Sequence, residues 1–228
     1  MSSELTLDVI HRDDDTVVID KPPGVLVHRS DRSRDRVFVL QTLAAQIDRT
    51  IYPVHRLDRA TSGVLLFALS SESARAWQAA LGEARKDYLA LARGSTPSHF
   101  VCDRPLTDHD AVDRPRREAK TEFEKLLEVH RSTLLRATLH TGRRHQIRRH
   151  LHHAMHQVIG DTTYGKGNIN RALRAEFALP RLFLHAERLR VVHPSTGEPL
   201  DLHVPLADDL RAFLLRLPGI DANAVARL

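Results

Sequence analysis

Residues 63–69 read Gly-Val-Leu-Leu-Phe-Ala-Leu, the longest apolar run in the chain, with serine on either side. A run of this length is a buried strand and is far too short to cross a bilayer as a helix. What surrounds it decides the class of fold. Residues 16–20 (Thr-Val-Val-Ile-Asp) form a second β-branched run, closed by the turn residues Lys21-Pro22-Pro23-Gly24. Residues 37–47 carry Val37, Leu40, Ala44 and Ile47 on one helical face, and residues 70–81 open with a serine cap ahead of a second helix. A short strand is expected at 88–92, paired strands at 119–129 and 133–140, and a helix at 145–155. Further strands are expected at 182–192 and 200–204, and a closing helix at 206–217. Residues 94–117 mix Pro, Asp, His and Arg without a period and read as loops. Strands outnumber helices and do not alternate strictly with them, which predicts an α+β chain on a mixed sheet in preference to a doubly wound one. With 228 residues and 42% hydrophobic content, the chain can bury a sizeable core.

Residues 1–15 hold no apolar run behind a basic start, so no signal peptide is expected. Cys102 is the only cysteine, which excludes an internal disulfide and fits the reducing cytoplasm, the expected location. The formal charge is +5, and of the 34 Lys and Arg only five are lysine: Lys21, Lys86, Lys120, Lys125 and Lys166. Arginine pairs with phosphate through two hydrogen bonds and stacks on bases, so its dominance fits an RNA-binding surface; a GC-rich genome gives the same composition. Position separates the two, because basic residues crowd into 29–36, 114–120 and 143–149, which favours an anionic partner.

Directly before the apolar strand stands His55-Arg56-Leu57-Asp58-Arg59-Ala60-Thr61-Ser62-Gly63. A carboxylate between two arginines is biased towards its ionised form, and the small residues after it allow a backbone or a ligand to approach closely. An ordinary surface ion pair answers to the same physics. The pattern is more specific than that, because these nine residues resemble, one for one, the catalytic motif of the RluA-type pseudouridine synthases.

In that family the motif's aspartate is essential, which implies a catalytic Asp58, and the arginine before it, here Arg56, enters the RNA stack vacated by the target base. A second family motif is matched by Lys86-Asp87-Tyr88-Leu89-Ala90 with Gly94, which implies that Tyr88 stacks on the flipped uracil. A third is matched by Thr141-Gly142-Arg143-Arg144-His145-Gln146-Ile147-Arg148, whose last arginine is implied to pair with Asp58. Catalysis is thus expected of Asp58, Tyr88 and Arg148, and substrate binding of Arg56, Arg59, Arg143, Arg144 and Ile147. At helical spacing Arg144 and Arg148 share one face, while Ile147 and Leu151 share the face expected to be buried; Arg143, Arg144 or Arg149 is expected to point towards phosphate. His55 is read as structural.

The resemblance runs from Lys21-Pro22-Pro23-Gly24 through Gly160-Asp161 and Tyr164-Gly165 to 193–199. It implies a single catalytic domain over 1–228 without a separate N-terminal RNA-binding domain. The implied fold is a mixed, mainly antiparallel sheet flanked by helices with a central cleft. It also implies a cofactor-free isomerisation by a monomer that engages RNA and no membrane. Asp58 acts either as a nucleophile or as a base that removes a sugar proton. Val27-His28-Arg29-Ser30, Arg148-Arg149-His150-Leu151 and Asn170-Arg171 resemble the family member that modifies transfer RNA at position 65; ribosomal RNA is the alternative substrate. Asp87 and Gln157 depart from the family, standing where a basic residue and a proline are expected, and 94–141 is short. A protein that only bound RNA would lack one of Asp58, Tyr88 and Arg148, and all are present.

Three other signals point elsewhere. His150, His152, His153 and His156 have helical spacing, yet no carboxylate or thiol joins them, so a solvated RNA-facing helix is expected and no metal site. Residues 160–166 match part of a phosphate loop, but Gly167 stands where Ser or Thr would bind magnesium, which leaves a structural turn. Asp13-Asp14-Asp15 reads as a hairpin turn.

Overall fold

The apolar runs become strands almost wherever the sequence offers them, in a computed structural model that describes residues 5–29, 35–107 and 115–228. In chain order the elements are β1 (Asp8–Arg12), β2 (Thr16–Lys21), α1 (Val39–Ile47), β3 (Tyr52–Pro53), β4 (Ser62–Ala68), α2 (Ser71–Glu83), β5 (Arg85–Arg93) and β6 (His99–Cys102). There follow β7 (Leu106–Thr107), β8 (Arg116–Arg117), β9 (Thr121–Val129), β10 (Ser132–Leu139), α3 (Gln146–His153) and α4 (Gly167–Phe177). The chain closes with β11 (Leu184–Val192), β12 (Pro199–His203), α5 (Asp208–Leu214) and α6 (Ala222–Ala226). This is the expected α+β class. Two compact units divide it, one formed by Met1–Arg85 with Ala186–Val204, the other by Lys86–His185 with Pro205–Leu228.

In the first unit the strand order is β1-β2-β4-β11, with β3 on β4 and β12 on β11. The β1–β2 hairpin turns at the three aspartates, where Asp13 Oδ1 accepts the backbone N–H groups of Asp15 and Thr16 at 2.8 Å each. Every residue of β4 is buried, as its apolar sequence demands. Helix α2 starts at a Ser70–Ser73 capping box, and its Trp77, wholly buried, packs with Val18, Val64, Leu66, Leu189 and Leu202 in the core. The ring of His193 meets Trp77 edge-on at 4.9 Å. Its Nδ1 accepts the N–H groups of Ser195 and Thr196, both at 3.2 Å, which fixes the turn before β12.

In the second unit the order is β5-β10-β9-β6, antiparallel in each recorded pair. The β9–β10 hairpin turns through His130 and Arg131, both left-handed at φ 39° and 56°, the geometry of a two-residue type I′ turn. Leu89, Leu91, Leu134, Phe177, Phe183 and Phe213 head the core beneath.

One expectation needs correction. Residues 94–117 are not all loop: β6 pairs with β9, and β7 pairs with β8. Helix α4 lies beyond the turn read at 160–166, where no element was expected; its Ile169, Leu173 and Phe177 recur every four residues behind the glycines. Among the described residues no helix is long and apolar enough to cross a membrane.

Candidate active site

The loop between β3 and β4 carries Asp58, half-buried, between the exposed Arg56 and Arg59. It is tied down by neighbours of its own unit. His55 Nε2 accepts the N–H of Leu66 at 2.9 Å, so this histidine pins the loop to β4 and is structural, as expected. The N–H of Thr61 donates to the carbonyl of Asp58 at 3.0 Å, closing a turn around the carboxylate-bearing residue. Gly63, at φ +108°, has no room for a side chain: a Cβ there would stand 2.2 Å from the carbonyl oxygen of Ala186. The small residues of the motif therefore admit a backbone, one of the two alternatives their size left open.

The loop is also clamped to the Lys21-Pro22-Pro23-Gly24 turn. Lys21 is wholly buried, and its Nζ donates to the carbonyls of Pro22 at 2.6 Å, Thr61 at 2.9 Å and Arg59 at 3.3 Å. A buried ammonium is tolerable only with such partners. Arg59 returns the contact: its Nε donates to Gly24 O at 2.8 Å and its Nη2 pairs with Asp35 at 3.0 Å. Its backbone and its guanidinium thus both brace the turn, in addition to any part in substrate binding.

Tyr88 lies half-buried on β5, opposite Ala137 of β10. Its neighbour Asp87, in place of the expected basic residue, is buried and accepts a hydrogen bond from Thr138 Oγ1 at 2.7 Å. Gln157, in place of the expected proline, accepts from Arg93 Nε at 2.9 Å.

Helix α3 holds the third motif, and Gln146 at its start is the keystone. Buried, it donates from Nε2 to Lys120 O at 3.0 Å and Thr121 Oγ1 at 2.9 Å, while its Oε1 accepts Thr141 Oγ1 at 2.8 Å and the N–H of Arg143 at 2.9 Å. The helix begins two residues later than Arg144, so the expectation that Arg144 and Arg148 share a helical face fails: Arg144 precedes the first turn, and His145 between them is left-handed at φ 52°. Arg143 donates from Nε to Glu118 O at 3.0 Å. Arg149 donates to Thr107 O at 2.6 Å and Thr107 Oγ1 at 3.1 Å, which ties α3 to β7. Ile147 and Leu151 are buried, as their spacing predicted.

Arg148 is buried as well, and it forms a two-pronged ion pair with Asp161, Nε to Oδ2 at 2.7 Å and Nη2 to Oδ1 at 2.9 Å. Burial alone would push the Asp161 carboxyl up, but the Arg148 hydrogen bond and charge, with the N–H groups of Tyr164 and Thr163, hold it below the usual carboxylate range. The sequence showed a turn at Gly160-Asp161; nothing in it showed this pairing. Asp161 is also the residue to which Gly165 is pressed, since a Cβ on Gly165 would lie 2.2 Å from Asp161 O.

The histidines of α3 do not form the expected solvated face. His150 is wholly buried: its Nδ1 meets Thr121 Oγ1 at 2.9 Å and its Nε2 donates to Arg104 O at 3.0 Å. His152 and His156 engage the carbonyls of Tyr164 at 3.0 Å and Arg93 at 2.9 Å. His153 alone of the four is exposed.

Residues 15–153 match the family model described as RNA pseudouridylate synthase. The tRNA pseudouridine synthase C of Pasteurella multocida is 41% identical over 220 residues, covering 87% of this chain and 90% of that protein. The protein of the same name from Vibrio cholerae is 39% identical, covering 91% and 94%. Among solved structures, human RNA pseudouridylate synthase domain containing 4 superposes with a TM-score of 0.76 at 25% identity, over 94% of this chain and 95% of that one.

Proposed function

This chain belongs to the RNA pseudouridylate synthase family, and from that membership we propose that it isomerises one uridine of transfer RNA to pseudouridine. The observation that carries the choice of RNA is identity near 40% to synthases named for transfer RNA, over most of both chains. Position 65 is the target suggested by the resemblance of residues 27–30, 148–151 and 170–171. The reaction breaks the N1–C1′ bond, turns the uracil and joins C5 to C1′, so it neither gains nor loses electrons.

Asp58 is the catalytic carboxylate in this reading, as nucleophile or as base. Tyr88 offers an aromatic face to the flipped base. Arg148 is the third catalytic residue. Arg56 fills the gap in the RNA stack, and Arg59, Arg143, Arg144 and Ile147 contribute to binding. In this reading residues 1–228 are one catalytic domain. It works as a monomer in the cytoplasm, where its substrate is.

The test is release of tritium from RNA labelled at uridine C5, with unmodified transfer RNA and ribosomal RNA offered separately to the wild type and to Asp58→Ala. Release from transfer RNA by the wild type only is the expected result. Release from ribosomal RNA alone would overturn the substrate, and release by Asp58→Ala would overturn the mechanism.

A further inference from the structure

The guanidinium of Arg148 has five N–H donors, and Asp161 with its neighbour takes one whole edge of it. Nε donates to Asp161 Oδ2 at 2.7 Å, and Nη2 donates to Asp161 Oδ1 at 2.9 Å and to Thr163 Oγ1 at 3.1 Å. The donors of Nη1 lie on the other edge. The arginine and aspartate side chains are 8% and 0% exposed, so solvent does not compete for this geometry. Arg148 also lies over the ring of Tyr164, 5.2 Å from its centre.

Asp161 is itself held from behind. Its Oδ1 accepts the N–H groups of Thr163 at 2.8 Å and Tyr164 at 3.0 Å. Its backbone carbonyl accepts Asn170 Nδ2 at 2.9 Å, and Asn170 Oδ1 accepts the N–H of Gly160 at 2.9 Å. The carboxylate is thus fixed to the turn and to the start of α4 before it meets the arginine. A buried ion pair is weak evidence for stability, since its desolvation cost offsets most of the attraction, but its fork geometry fixes direction. Lysine would not be oriented in this way.

We propose that Asp161 is a positioning residue for the isomerisation: it grips the Nε–Nη2 edge of Arg148, with Thr163, and so sets the direction in which the Nη1 donors of this arginine point. The inference rests on the reading of Arg148 given above. Asp161 touches no reacting atom and acts only through the arginine.

Asp161→Asn separates this role from turn-holding. Asparagine keeps an oxygen for the N–H groups of Thr163 and Tyr164, but offers an N–H where Arg148 Nε needs an acceptor. Measured by single-turnover tritium release from C5-labelled transfer RNA, folded Asp161→Asn is expected to react at least about ten-fold more slowly, with RNA affinity by filter binding within about two-fold of wild type. In an Arg148→Lys background the same substitution is expected to add no further loss, because its route of action is gone. A wild-type rate for Asp161→Asn, or an undiminished loss in the Arg148→Lys background, overturns the inference and leaves the function standing. No release by the wild type from any RNA overturns both. If Asp161→Asn does not fold, Thr163→Val decides: Thr163 is exposed, and a few-fold slower reaction that vanishes in the Arg148→Lys background is expected, while an unchanged rate overturns the proposal.

Discussion

At the scale of single residues, the loop that carries Asp58 is held by groups far away in sequence. Lys21 reaches three carbonyls, and Gly63 lets Ala186 pass at a distance that forbids a Cβ. Gly63→Ala is therefore expected to destabilise the protein by on the order of 2–4 kcal/mol, from a strained positive φ and a clash with backbone that cannot move aside. Urea unfolding measures it, and a loss below about 0.5 kcal/mol would show that β11 yields. Gln146→Ala removes a side chain with four hydrogen bonds and takes away the acceptor of the Arg143 N–H, at a cost of roughly 1–3 kcal/mol by the same assay. Such partners were invisible in the sequence. Asp58, Tyr88 and Arg148 stand out in the sequence because a whole motif surrounds each of them, whereas the grip of Asp161 on Arg148 depends on a turn returning after α3, which no local pattern encodes.

At the scale of elements, β4 and the β9–β10 pair were legible from their apolar runs, and α2 from its serine cap. What escaped were elements whose patterns are short or masked. β7 and β8 are two residues each, too brief for any period to register. The turn between β9 and β10 lacked the usual asparagine or glycine signal, since His130 and Arg131 occupy its left-handed positions. Arg131 is exposed, so Arg131→Gly is expected to raise stability by roughly 0.5–1 kcal/mol, because glycine adopts φ 56° without the steric cost borne by other residues. His130 is a poorer choice, as its ring packs edge-on against Phe177 at 4.8 Å. Thermal unfolding of Arg131→Gly checks the reading, and a lower midpoint would mean that the arginine side chain holds the hairpin by other contacts.

At the scale of the whole molecule, two buried groups contribute to how stability varies with pH. Burial pushes His150 below the ordinary histidine range, and the charge of Arg149 adds to this against the opposing Arg104 carbonyl and Asp103. A histidine with a depressed folded value is neutral in the native state and must gain a proton as acid rises, so its contribution is complete above about pH 6.5 and is lost as pH falls below that. Asp161, also depressed, contributes fully above the ordinary carboxylate value and loses that contribution as pH falls through its lower native one. Stability is therefore expected to decline in two windows on acidification. His150→Gln should flatten the first only in part, since partial desolvation and the nearby charge of Arg104 also depress His153. An unchanged slope between pH 6.5 and 5 in that variant would remove His150 from the account.

The division of the chain bears on how it is made. The first unit consists of Met1–Arg85 and Ala186–Val204, separated by most of the second. A ribosome synthesising this protein thus delivers β1 to β4 and α2 long before β11 and β12, and Leu189, Val191, Leu202 and Val204 are missing from their shared core until then. The nascent amino-terminal segment must wait with Val64 and Leu66 short of these partners, exposed to chaperones and to sticking, while a hundred further residues emerge.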